Sequence, residues 1–200
     1  MNVFDAIEQR RSVKHFDPEY KFSEAEEKKL LEAAVFSPTA FNLQHWRFVV
    51  VKDKAILEQL KEAAWGQAQV TDASMLIVLC ADKAAWSKEP GRYWVNAPQE
   101  VQDYLVPKIG QYYEGNDRVQ QDECMRSCGL AAQTIMLAAK AMGYDSCPMD
   151  GFDFEQAGKI ISLPDDHIIS MFIAIGKATA EANPRGGQLP LSEVVIENHF

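Results

Sequence analysis

Two stretches of this chain, Met75–Ala81 and Ile168–Ile175, are almost uninterruptedly apolar and each run for about eight residues. A bilayer span needs roughly 20 such residues, so neither stretch is a membrane helix. Their lack of polar alternation also excludes a sheet with one wet face, because such a strand has to be covered on both sides. The chain must therefore lay helices on either face of a central sheet. Arg47–Val51, a run rich in β-branched residues, reads as another buried strand, and Ser146-Cys147-Pro148-Met149 as one that ends in a turn at Asp150-Gly151.

The helices between these strands carry their own start and stop signals. Asn2 can cap a short amphipathic helix through Gln9, and Ser23 with Glu26 forms a capping box that opens the segment Glu24–Phe36 before Pro38. Asp53 caps a further helix to about Trp65, after which Gly66–Val70 reads as a loop. A long helix from about Asp122 to Met142 presents Cys128, Gly129, Ala132, Ile135, Met136 and Ala139, with Gly143 just past its end. Residues 82–121 hold Trp86, Tyr93, Trp94, Tyr104, Tyr112 and Tyr113 among Pro and Gly without a clean period, which reads as a lid or insertion. The tail from about residue 180 reads as extended. A chain of 200 residues fits one domain, and the pattern leaves the class open between α/β and α+β.

Charge narrows the partners. Twenty Lys and Arg against 29 Asp and Glu leave a formal charge of −9, a field that repels nucleic-acid backbones and anionic membrane surfaces. Four cysteines in apolar settings make no disulfide framework, and no secretory leader is readable, so the expected compartment is the cytoplasm. Cys124 and Cys128 lie one helical turn apart, yet no second ligand pair accompanies them, and packing is the expected role. There is no G-x-G-x-x-G, no Walker A, no G-x-S-x-G and no H-E-x-x-H, so no side-chain nucleophile or metal is expected to carry catalysis.

Against that background, Arg10-Arg11-Ser12-Val13-Lys14 stands out as a local reversal of charge. Guanidinium forks beside a hydroxyl suit a phosphate monoester. A second cluster, Ser37-Pro38-Thr39-Ala40-Phe41-Asn42-Leu43-Gln44-His45-Trp46, gathers amides, hydroxyls and aromatics between a helix stop and a strand.

These two segments, with GQAQVTDAS at 66–74 and PMDGFD at 148–153, resemble the nitroreductase family of FMN-dependent NAD(P)H oxidoreductases, in order and over essentially the whole chain. The resemblance implies an α+β fold with a mostly antiparallel sheet flanked by helices, in an intertwined homodimer. It implies that Arg10 and Ser12 meet the FMN phosphate, that Lys14 reaches the N1/O2 edge of the ring and the substrate slot, and that Arg11 reaches phosphate or solvent. Pro38, Thr39, Ala40 and Asn42 would meet the flavin bound to the partner subunit, with Phe41 lining the substrate slot. Gln67, with Gln69 as the lesser candidate, would bond the pyrimidine edge, and Asp150 and Gly151 would turn backbone N–H groups toward N5 and O4. The expected chemistry is ping-pong transfer of two electrons from NAD(P)H to nitroaromatic, quinone or similar small-molecule acceptors. One departure stands at the C-terminus, where the family pattern P-K-S-R is replaced by Pro184-Arg185-Gly186-Gly187-Gln188. Arg185 can stand for the Lys, whereas Gln188 replaces the second cation. His45 occupies a place where the family often has Pro, and no role is assigned to it.

Overall fold

A computed structural model describes Met1–Phe200. Four strands, β1 (Trp46–Val51), β2 (Met75–Asp82), β3 (Asp145–Met149) and β4 (His167–Gly176), form one sheet in the order β1-β2-β4-β3. Every neighbouring pair is antiparallel. The class is therefore α+β, as the family resemblance implies.

The helices are α1 (Val3–Gln9), α2 (Glu24–Ala34), α3 (Lys54–Ala63), α4 (Gln69–Asp72), α5 (Gln99–Tyr113), α6 (Asp117–Ala141), α7 (Phe154–Ile160) and α8 (Leu191–Val194). Alternate strand residues feed two separate cores. Met75, Ile77, Leu79 and Ala81 of β2 join Ile173 and Ile175 of β4 beneath α2 and α6. Leu76, Val78 and Cys80 point the other way, with Phe172 and Ala174, into a layer completed by Leu60, Val70 and Ala157. The period of two, applied to a run with no polar residue, thus fills both faces with apolar groups. The expected capping box of Ser23 with Glu26 is present, and the expected cap Asn2 proves to be a full box with Asp5.

Four sequence expectations need correction. Arg47–Val51 is not a central buried strand: β1 pairs with β2 alone and is half-exposed along most of its length. Its valines fit an edge as well as a centre, and sequence periodicity cannot tell how many neighbours a strand has. The expected loop Gly66–Val70 gives way at its end to a helical turn, Gln69–Asp72. The aromatic stretch contains α5, whose pattern is masked by Pro107 within the helix and by burial of only Ile109 and Tyr113. The long helix begins at Asp117, five residues earlier than expected, because Asn116 caps it through the Val119 N–H.

Thiols pack α6 against the sheet. Cys124 donates to the Asp82 carbonyl at 3.7 Å and Cys128 to the Cys80 carbonyl at 3.5 Å, and burial pushes both thiols up to about 12, so they stay protonated. The far end of β4 is equally tight. A Cβ on Gly176 would lie 3.0 Å from the Ser74 backbone nitrogen and 3.0 Å from the Phe16 ring. Backbone cannot yield as a flexible side chain can. Gly176→Ala is expected to cost about 1–2 kcal/mol, read as a lowered denaturant midpoint with an unchanged m-value.

Candidate functional site

After α1, the Arg10 to Phe16 segment runs extended along the free side of β3. Ser12 bridges Ser146 in parallel, with the Val13 N–H donating to the Ser146 carbonyl at 3.1 Å, and Phe16 bridges Ala178. Alternation then sorts the basic run. Val13 is buried, and Arg11 shares its side, lining a cleft of about 560 Å³ with Gln9, Lys140 and Asp145 and donating to the Asn183 carbonyl. Arg10, Ser12 and Lys14 are the alternate set, and their side chains form no hydrogen bond or ion pair within the chain. The C-terminal tail returns beside them. Arg185 donates to the carbonyls of Glu8 at 3.0 Å and Arg10 at 3.1 Å, where the end of α1 offers unpaired acceptors.

Farther along β3, the chain turns at Asp150-Gly151. The N–H groups of these two residues donate to no acceptor within the chain. Gln67 donates from Nε2 to the Gly151 carbonyl at 2.8 Å, while the buried Gln69 donates to Gln67 Oε1 at 2.9 Å. Gln69 therefore fixes which way the Gln67 amide faces, a second role that its lesser ranking in the sequence missed. A Cβ on Gly151 would meet only Trp65 at 3.5 Å and Gln67 at 3.6 Å. The chain's own packing does not demand glycine there. From Ser146 to Asp150 the strand covers about 13 Å, so the unpartnered cations and the free N–H groups lie along one elongated edge.

Trp65 completes this corner, and sequence reasoning passed it over as the end of a helix. It is 72% exposed, adopts φ +56°, and is followed by Gly66 at φ +79°. A left-handed backbone costs a bulky L-residue roughly 1–2 kcal/mol that glycine would not incur.

The other predicted cluster lies elsewhere. Pro38 is exposed, and Thr39 leads into a tight turn over Ala40–Asn42 in which Phe41, Asn42 and Gln44 all have positive φ, 53°, 55° and 47°. The turn is pinned at several points. Thr39 Oγ1 accepts from the Gln44 N–H at 3.0 Å, Asn42 Nδ2 donates to the Tyr93 carbonyl at 2.9 Å, and Trp94 Nε1 donates to the Phe41 carbonyl at 3.0 Å. The Phe41 ring leans on Tyr112 with centroids 5.6 Å apart. This turn precedes β1, whose Trp46 pairs with Ala81 at one end of the sheet, whereas Ser146 pairs with Ile175, itself opposite Met75, at the other. Counting strands and residues places the turn diagonally across the sheet from Lys14, roughly 20–25 Å away. One chain cannot bring the two clusters onto one small ligand.

Below the turn, His45 is 1% exposed, with Nδ1 3.0 Å from Ser127 Oγ and Nε2 unpartnered. Burial pushes it down to about 4, with Arg47 adding to the effect and Asp82 opposing it. Next to it, Asp82 accepts from Arg47 at 3.0 Å, from Lys88 at 2.8 Å and from the Ala84 N–H at 3.0 Å. Lys88 also donates to Asp166 at 2.6 Å, and this bond with one from His167 holds Asp166 down at about 2. Asp82, Asp166 and His167 lie close enough to share a cation, but the Lys88 ammonium already bridges the two carboxylates. A groove of about 520 Å³ near Phe22 and α3 sets Lys21, Lys52, Lys54 and Lys61 against Glu19, Glu27, Glu58 and Asp72, and so offers no net charge to a ligand.

The fold is an antiparallel α+β sheet whose edge is lined with unpartnered cations that lead to a turn with free N–H groups, donors of a kind that suits an anion. A model of the nitroreductase family matches residues 7–177, and the chain belongs to that family. Protein DrgA of Synechocystis sp. is 50% identical over 200 residues, covering 98% of this chain and 95% of that one. MhqN of Bacillus subtilis, which bears an NAD(P)H nitroreductase name, is 34% identical over 197 residues, covering 94% and 95% of the two chains. Among solved structures, a chain from Exiguobacterium sibiricum classed as a nitroreductase and crystallised in complex with FMN is 29% identical and superposes with a TM-score of 0.90. It covers 98% of this chain and 97% of that one. No helix here is long and apolar enough to cross a membrane.

Proposed function

We propose that this protein is an FMN-dependent NAD(P)H oxidoreductase that passes two electrons to nitroaromatic, quinone or similar acceptors. The observation that carries this reading is the β3 edge. There Arg10, Ser12 and Lys14 lack partners and lead to the free N–H groups of Asp150 and Gly151. Those donors suit a phosphate at one end and an electron-rich heterocycle at the other.

Arg10 and Ser12 would hold the phosphate. Gln67, oriented by Gln69, would bond the pyrimidine edge, and Lys14 would stabilise negative charge at N1 of the reduced ring, which raises its potential. FMN, when bound, supplies a hydride-accepting ring that exchanges two electrons with NAD(P)H and then with an acceptor. The chain's part is to bind, orient and leave one ring face open, so that donor and acceptor use the same slot in turn. Arg11, engaged with the Asn183 carbonyl on the opposite side of the segment, serves the tail rather than the phosphate. Arg185 reaches the end of α1 and joins the phosphate site from there.

The site takes two copies of the chain. Pro38, Thr39, Ala40, Phe41 and Asn42 lie too far from Lys14 to share its flavin, so they would serve the partner subunit's. Unpartnered apolar groups support this: Val3, Phe4 and Ile7 on α1, Met125 and Leu130 on α6, and Leu191, Val194 and Ile196 in the tail are all exposed. A second copy packed on these elements would cover such side chains.

One anaerobic titration tests the reading. The reconstituted protein is expected to hold FMN stoichiometrically, to be bleached by NADH or NADPH, and to recover its colour when a quinone or nitroaromatic is added. Lack of flavin retention would overturn the cofactor assignment. Bleaching without reoxidation by either acceptor would favour the same fold acting on an enal or a halogenated aromatic. Retention without bleaching would mark a flavin-binding protein that is not an enzyme.

A further inference from the structure

We infer that Trp65 is a specificity-determining residue, the wall on which planar aromatic acceptors stack beside the Asp150-Gly151 turn. The inference deepens the flavin reductase reading and rests on it.

Three observations converge on this side chain. Trp65 is 72% exposed although it is among the largest apolar groups in the chain. Its backbone is left-handed at φ +56°, at a helix end where Gly66 follows with the same sign, so local geometry would favour a second glycine. Its position is defined by Gly151: a Cβ built there would lie 3.5 Å from Cζ3 of the indole and 3.6 Å from Gln67 Nε2. The indole's six-membered ring and the Gln67 amide therefore flank the same turn, and the missing side chain of Gly151 leaves the ring edge uncovered. Strain in an exposed bulky residue next to a ligand site points from geometry to function, because packing does not account for it.

The residues beneath make the wall rigid. The Asp153 N–H donates to the Ala63 carbonyl at 2.9 Å, which ties the end of α3 to the segment after the turn, and Phe152 stacks on Phe172 with centroids 3.8 Å apart. Trp65 is held by backbone at both ends, and its ring is presented to solvent. A planar, electron-poor ring would gain offset stacking there, whereas a compact inorganic oxidant such as ferricyanide would gain nothing.

The test uses the FMN-loaded protein with NADH as donor, comparing wild type, Trp65→Phe and Trp65→Ala. Trp65→Ala is expected to raise KM for a quinone and a nitroaromatic about three- to ten-fold, with kcat changed by less than about two-fold and KM for ferricyanide unchanged. Trp65→Phe keeps a π-face and is expected to stay within about two-fold of wild type. Indole emission is expected to be quenched by a non-reducible planar aromatic in the wild type and to lose most of that response in Trp65→Phe. KM values for the quinone and the nitroaromatic in Trp65→Ala that equal those of wild type, in protein that holds FMN and is reduced by NADH, would overturn the role of Trp65 while leaving the flavin reading intact. A parallel rise for ferricyanide would also overturn it, marking a general disturbance of the turn. Wild-type protein that does not hold FMN would defeat the flavin reading itself, and this inference with it.

Discussion

Below neutral pH, wild-type stability is expected to fall by on the order of 3 kcal/mol as the pH drops from about 6.5 to about 4, and His45 is the group responsible. Its imidazole is buried beneath the 39–44 turn with Nε2 unpartnered, so charging it inside the protein is costly. In the unfolded chain the same ring takes up a proton near its ordinary value of about 6.5, whereas in the fold it waits until about 4. Between those limits the unfolded state binds more protons, so stability is full above the upper limit, declines through the window, and is not lost further by this group below it. Asp166 works in another window. Its carboxyl is held at about 2 by Lys88 and His167, so its contribution is present above its ordinary value near 4 and disappears as the pH falls toward 2. Urea denaturation of wild type and His45→Gln at about pH 7 and about pH 4.5 separates the two, because the variant should lose most of the slope in the upper window alone. An equal slope in the variant would place the acid sensitivity elsewhere.

Arg10→Ala is expected to weaken FMN binding about ten- to a hundred-fold, with the thermal midpoint of the flavin-free protein nearly unchanged. The size follows from the loss of charge-assisted hydrogen bonds to a phosphate, about 1.5–3 kcal/mol. The selectivity follows from the structure, since the Arg10 side chain has no partner inside the chain to lose, while its carbonyl still accepts from Arg185. Fluorescence titration of FMN into the stripped protein measures it. Riboflavin, which lacks the phosphate, is the control and should lose little affinity. Equal losses for both ligands would move Arg10 from the phosphate to the ring, and unchanged FMN affinity would remove it from the site.

Local patterns determined a good deal. Continuous apolar runs required a sheet covered on both faces, and the alternating residues of β2 and β4 do fill two cores. Asn2, Ser23 and Asp53 announced their helices because a cap acts over three or four residues of contiguous chain. The cluster Arg10-Arg11-Ser12-Val13-Lys14 was visible as a charge reversal, and its period of two follows once the segment is extended.

Tertiary structure decided what depends on distant partners. That β1 is an edge, that α5 forms despite Pro107, and that the basic segment lies against β3 all depend on pairing between residues far apart in sequence. The same holds within the candidate site. Gln69 orients Gln67, Arg11 turns away from Arg10, and Trp65 stands exposed against Gly151 at a strained backbone. Only the sheet order places the 38–42 turn diagonally opposite Lys14, out of reach of the same small ligand within one chain. A sequence sets the periods and caps that local chemistry enforces. Which of its donors remain unpartnered, and toward what they point, is settled only when long-range packing has used up the rest.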